Sequence, residues 1–170
     1  MSVYLTGKVM DVYYTENNGI KVKLKVPGEE GFFSYPTVFL DVTNDTKKIQ
    51  KKNVIKLRGF FVNLRRSTGN IYQKVFAFNV APSTDEFENK VIAEGEVKKI
   101  YTRGRPSIDI ETIDGVIVEG KPECPLDDFK EGDFIRLTGR MATELIKTED
   151  DKQIIHEHFI VDEIEKIERG

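Results

Sequence analysis

The sequence predicts an all-β chain made of two tandem five-stranded units, on three observations. Apolar and polar residues alternate with period two, as in "GIKVKLKVP" (19–27), where Ile20, Val22, Leu24 and Val26 share one strand face and Lys21, Lys23 and Lys25 the other. Glycine-bearing turns, "ENNG", "STGN" and "TRGRP", separate runs of strand length. The chain also repeats itself. A shift of 80 residues lays Ile55, Leu57 and Gly59 on Ile135, Leu137 and Gly139, and a shift of 88 lays Gly7, Val9 and Tyr13 on Gly95, Val97 and Tyr101.

Strands are expected in the first unit near 3–14, 19–26, 37–42, 54–64 and 71–80, and in the second near 91–101, 107–113, 115–119, 134–146 and 153–165. The first strand of each unit is long and carries an early glycine, Gly7 or Gly95, where it can bend. The second and third alternate cleanly: in "TVFLDV" Val38, Leu40 and Val42 face inward, and Thr37, Phe39 and Asp41 outward. Polar segments precede the fourth strand, "TNDTKKIQKKN" and "CPLDDFKEGD", each read as a short helix or loop, with Thr43 or Asn44 as cap in the first. The fourth and fifth strands form hairpins around "STGN" and "KTEDDKQ". The insert "PGEEGFFSYP" accounts for the drop in shift from 88 to 80. "APSTDEFEN" (81–89), with its proline, serine and acids, is the expected junction, giving a unit over 1–83, a linker over 84–89 and a unit over 90–170.

Charge divides the two units. Residues 1–83 hold 13 Lys+Arg and 6 Asp+Glu, and residues 84–170 hold 13 and 23, so a net charge of −3 hides +7 beside −10. At the shift of 88 the apolar positions Ile20 and Val22 persist as Ile108 and Ile110, while Lys21 and Lys23 become Asp109 and Glu111. If these charges served solubility alone, either sign would do.

Other classes of function find little support. No apolar run reaches the 18 residues of a membrane helix. The start "MSVYLTGKVM" is expected to be a strand rather than a secretion leader, and the single Cys124 fits a reducing cytosol. There is no phosphate loop, GxSxG or HExxH. His156 and His158 share a strand face around Glu157 without a recognisable third ligand. No enzyme, metal or cofactor is therefore expected.

Five strands in about 80 residues, the first of them long and a helix or loop before the fourth, resemble the OB-fold, a small Greek-key barrel. The resemblance implies that the lysine row stands on the outer surface of strands two and three, where OB-folds bind oligonucleotides with the help of the one–two and four–five loops. That surface would carry Lys8, Lys21, Lys23 and Lys25 beside Tyr4, Tyr14 and Phe39, with Arg65 and Arg66 on the four–five turn and Phe32, Phe33 and Tyr35 on the insert. Lysines neutralise phosphates, and rings stack on unpaired bases.

Two such units with a basic, aromatic face look like single-stranded DNA-binding proteins of bacteria and phages, or like tandem units of replication protein A. This resemblance implies sequestration of single-stranded DNA in replication, recombination or repair, without chemistry. It also implies a homo-oligomer, a dimer if four barrels surround the strand, and contacts with replication or recombination proteins. Carried over by position, Lys21, Lys23, Lys25, Phe39, Arg65, Arg66 and Tyr72 are the contacts, with Arg103 and Arg105 meeting a strand that passes between units. The chain departs from the family in lacking tryptophan and in stopping at "EIEKIERG" instead of an acidic tail with a terminal phenylalanine. The acidic unit is expected to dimerise or to hold partners. A protein–protein adaptor and an RNA-binding protein are the readings left open.

Overall fold

The computed structural model describes the chain except residues 66–70, 148, 152 and 169–170, and the side chains at 65, 71, 145, 146 and 153–155. The chain is all-β with an OB-like fold. In the first half the strands are β1 (Ser2–Tyr14), β2 (Gly19–Pro27), β3 (Phe33–Ser34), β4 (Thr37–Asp41), β5 (Val54–Arg65) and β6 (Ile71–Pro82). In the second they are β7 (Glu88–Tyr101), β8 (Ser107–Glu111), β9 (Ile117–Pro122), β10 (Phe134–Lys147) and β11 (Gln153–Lys166). The helical content among the described residues is one 3-10 turn, Thr46–Lys48. Thr43 holds its start reciprocally: the Thr46 N–H donates to Thr43 Oγ1, and the Thr43 N–H donates to Thr46 Oγ1. No helix of the described residues is long and apolar enough to cross a membrane.

Antiparallel β1–β2, β2–β4, β6–β5 and β5–β1 pairings, with a parallel β4–β6 pairing, close a five-stranded barrel. β1 can take part on two sides because it bends. Its residues 3–8 pair with β5, and those from Lys8 onward pair with β2. Gly7 lies at the crossing, where a methyl group would run into the Lys25 carbonyl. The second half repeats the same order, β7–β8–β9–β11–β10 and back to β7, again with one parallel pairing, β9–β11. The glycines of the sequence repeat thus mark equivalent close approaches. At Gly139 an added Cβ would meet the Ile160 carbonyl of the partner strand. Backbone cannot swing aside as a side chain can, so Gly139→Ala should cost at least about 2 kcal/mol, measured by chemical denaturation.

The halves are joined by more than a linker. β1 and β7 pair antiparallel, from Ser2 opposite Ile92 to Thr6 opposite Glu88. Irregular backbone is confined to 83–87, because β6 runs through Pro82 and β7 begins at Glu88, inside the segment expected to be linker. The fully buried rings of Phe61 and Phe159 lie 5.8 Å apart and belong to one continuous core drawn from both halves.

A reciprocal exchange adds to this. The β10–β11 hairpin reaches β4: the Tyr35 N–H donates to Thr143 Oγ1 and the Thr37 N–H to Glu157 Oε1. The β5–β6 hairpin reaches β9 in return. Asn63 donates to the Ile117 carbonyl, and the Gln73 amide both donates to and accepts from the Glu119 backbone. Each carboxylate or amide sits just beyond the short parallel pairing, two residue pairs long in both halves, and satisfies backbone groups there.

The ladders correct one expectation from the repeat. Val9 faces Leu24, and Val97 faces Ile110, with equivalent bulges following at Met10 and Lys98. Seven residues lie between the paired Tyr13 and Lys21 but five between the equivalent Tyr101 and Ser107, which moves the match by two residues. Lys23 corresponds to Asp109 and Lys25 to Glu111, while Lys21 corresponds to Ser107. The reversal of charge between the halves stands, on different pairs. The insert is also structured in part, since Phe33–Ser34 adds β3 to the edge of β2.

Candidate nucleic-acid interface

Alternation does along β2 what the sequence predicts. Ile20, Val22, Leu24 and Val26 are all 0% exposed, and the three lysines stand half-exposed on the outer face. The strand beyond supplies a partner for each. Lys21 Nζ lies 5.8 Å from the Phe39 ring centroid, Lys23 Nζ 5.9 Å from that of Tyr35, and Lys25 Nζ 4.2 Å from that of Phe33. Residues 33, 35 and 39 have the same parity, so period two sends all three rings to the lysine side. The result is three rungs of one cation and one ring. Each cation–π contact contributes only about 0.5–1 kcal/mol at a wet surface, enough to orient an ammonium without neutralising it.

Alternate residues of a strand lie roughly 6.6 Å apart, so the three cations form an evenly spaced row along β2.

β1 flanks the row. Lys8 is opposite Lys25, Asp11 opposite Lys23 and Tyr13 opposite Lys21. The Asp11 carboxyl is held below the ordinary range, chiefly by Lys51 and by the Tyr13 hydroxyl, with a smaller contribution from Lys23. The bulge at Met10 reverses the facing of the strand after it, so Tyr13, rather than the expected Tyr14, shares the lysine face. Tyr14 pairs with the inward Ile20 at the strand end.

The remaining expected contacts separate. Phe32 is exposed at the tip of the turn that precedes β3, where the Phe32 N–H donates to the Glu29 carbonyl. Arg65 ends β5 opposite Ile71, its side chain outside the description, and Arg66 lies outside the described residues. Tyr72 is the second residue of β6, its ring centroid 5.9 Å from Lys74 Nζ. Lys74 itself is committed to Glu157 at 2.7 Å, so this end of β6 serves the contact between halves. Arg103 and Arg105 are exposed in the β7–β8 turn, and Arg105 lies 3.6 Å from Glu144 of its own half.

In the second half the positions matching the lysines are occupied differently. Asp109 takes a hydrogen bond from the Tyr101 hydroxyl, and Glu111 pairs with Lys98 at 3.3 Å. Burial, then the nearby Glu119, pushes the Asp109 carboxyl up from the usual carboxylate range. His156 and His158 have ring centroids 6.0 Å apart, and His158 contacts Glu144 at 3.2 Å. Among the described residues no group of three or more His, Cys, Asp or Glu side chains is arranged to hold a metal ion. Burial lowers the His158 pKa and the Glu144 contact opposes that shift.

A second aromatic group, absent from the sequence-based expectations, lies on the first barrel. Phe76 of β6 is the parallel neighbour of Phe39 and the antiparallel neighbour of Phe60 on β5. The Phe60 ring lies 5.8 Å from Phe76 and 5.9 Å from Phe78. Arg58 stands over both Phe78, at 5.9 Å, and Tyr4, at 5.3 Å. The signal was present in "VFAFNV", whose alternation turns Val75 and Ala77 inward and Phe76 and Phe78 outward.

No family model and no curated protein matches the sequence. Solved structures do resemble it. The wild-type single-stranded DNA-binding protein from Thermus aquaticus superimposes with a TM-score of 0.69 at 15% identity, covering 99% of this chain and 93% of that one. A deletion variant of the Thermus aquaticus protein gives a TM-score of 0.70 at 14% identity, with coverages of 99% and 95%. At such identity the likeness is one of fold, and it extends over nearly the whole of both chains. The chain therefore shares the OB-type fold of the Thermus aquaticus single-stranded DNA-binding protein.

Proposed function

We propose that this chain is a non-catalytic single-stranded DNA-binding protein of two tandem OB barrels, over 1–83 and 90–170, acting in replication, recombination or repair. The observation that carries the proposal is the set of three lysine–ring rungs formed by β2 with β3, β4 and Tyr35 between them. Their cations are free to meet phosphates, and their rings lie level with bases. The equivalent face of the second barrel bears Asp109 and Glu111, which would repel a polynucleotide. That barrel is assigned to dimerisation or to contact with partner proteins. What the Thermus aquaticus protein is said to bind, together with the shared fold, supports the same reading. The soluble, cytosolic character expected of such a protein follows from the same proposal.

Titration of fluorescein-labelled oligo-dT by anisotropy tests it. Binding should weaken steeply as salt rises, with a slope in log–log form of about −0.7 for each phosphate neutralised on a single strand. A parallel titration with oligo-U discriminates DNA from RNA. Failure to bind either oligonucleotide at low salt would sink the proposal and favour an adaptor.

A further inference from the structure

Among the described residues no ring or cation contact ties Phe60, Phe76 or Phe78 to the second half, and none of the three belongs to a lysine–ring rung. Phe78 is 59% exposed and Phe60 36%, an unusual placement for two stacked phenylalanines. The group is continuous with the lysine row around the barrel. Lys21 stands over Phe39, Phe39 neighbours Phe76, and Phe76, Phe60 and Phe78 follow in ring contact, ending at Arg58. Arg58 makes a hydrogen bond to Ser2 Oγ at 3.2 Å and has no carboxylate partner among the described residues. Lys90 is exposed beyond it, opposite Tyr4 across the β1–β7 seam.

The second half again provides an internal comparison. Gly59 faces Ala77 and Gly139 faces Val161, which makes Phe60 equivalent to Arg140 and Phe78 to Asp162. Where the first half exposes two rings, the second has an ion pair of 2.6 Å, reinforced by Glu123 at 2.8 Å from the same guanidinium. The fold at these positions is thus compatible with a half-buried ion pair, and exposed rings are not needed to build it.

We infer that single-stranded DNA leaving the lysine row continues across Phe39 and Phe76 onto Phe60 and Phe78, with Arg58 and Lys90 taking the phosphates at the far end. This rests on the function proposed above and extends its site from three rungs to a track around half the barrel. Every base offers a face to stack on, so rings in series suit a chain of any sequence. Cations at both ends of the ring series, Lys21 over Phe39 and Arg58 over Phe78, favour a polyanion over an apolar protein surface.

The chain contains no tryptophan, so single replacements give clean reporters. Phe39→Trp reports the lysine row, and Phe78→Trp the distal group. Oligo-dT of about 5 nucleotides, seated on the row, should quench emission in the first variant and leave the second unchanged, whereas about 16 nucleotides should quench both. The double change Phe60→Ala/Phe78→Ala should weaken the longer oligonucleotide about tenfold or more while sparing the shorter. Quenching of Phe39→Trp alone by the longer oligonucleotide would overturn the inference and leave the lysine-row site intact. So would a fall in sedimented mass of the DNA-free protein on the double change, which would assign the face to a second copy of the chain. No quenching in either variant, with no binding by the wild type, would instead remove the function proposed above, and this track with it.

Discussion

Replacing Lys21, Lys23 and Lys25 together with glutamate should lower affinity for oligo-dT at low salt roughly a thousandfold. The magnitude follows from three contacts, each worth about 1–4 kcal/mol near a surface and each tenfold in affinity for about 1.4 kcal/mol. The loss should shrink as salt rises. Losing three phosphate contacts removes about 2 from the log–log salt slope, since each contributes about 0.7 on a single strand. The barrel should stay folded, because the four residues between and beside the lysines are wholly buried and untouched. Far-ultraviolet circular dichroism and a melting curve check that point beside the titration. Unaltered affinity in a folded variant would detach the row from the site, whatever else the protein binds.

The second large effect concerns stability. Glu157→Ala is expected to destabilise the protein by about 3–5 kcal/mol, the usual result of removing one member of a buried pair. The Glu157 side chain is 2% exposed and that of Lys74 is 18%. Without the carboxylate, the largely buried Lys74 loses its ion-pair partner and the Thr37 N–H loses its acceptor. Glu157→Gln isolates the charge, since an amide oxygen can still accept from Thr37. Its cost should fall between that of alanine and zero. The measurement is urea denaturation of both variants beside the wild type. A loss below about 1 kcal/mol for alanine would mean that the β1–β7 pairing and the Phe61–Phe159 contact hold the halves without help. Because β4 carries Phe39 and leads from Tyr35, loosening this clamp should also weaken oligonucleotide binding, by a smaller factor than loss of the lysines.

The lysine row and Glu157 illustrate how differently the chain discloses its parts. Lys21, Lys23 and Lys25 were legible because strand alternation is a local rule: once Ile20, Val22, Leu24 and Val26 are inside, the lysines have nowhere to stand but outside. Glu157 was read only as the residue between two histidines. Its partners, Thr37 and Lys74, lie 120 and 83 residues away in sequence, and no local pattern points to them. Phe60 and Phe78 fall between these cases. Their outward facing could be read from alternation in "VFAFNV", but their stacking depends on a register shift at Gly59 between two strands. Tyr13 and Tyr14 exchanged roles for a similar reason, since one unpaired residue in β1 reverses the facing of everything after it.

From residue order alone came the all-β class, ten of the strands to within a few residues, the opposed charges and the lysine face. All rest on period-two patterning and on glycine, which act over neighbouring residues. Pairing across long loops decided the rest: the β1–β7 seam, the exchange of hairpins between halves, the two-residue correction to the repeat, and the ring track that leads away from the lysines. Such contacts form between strands whose alignment depends on bulges and loop lengths summed over the whole chain, and a single residue of slip turns each side chain to the opposite face.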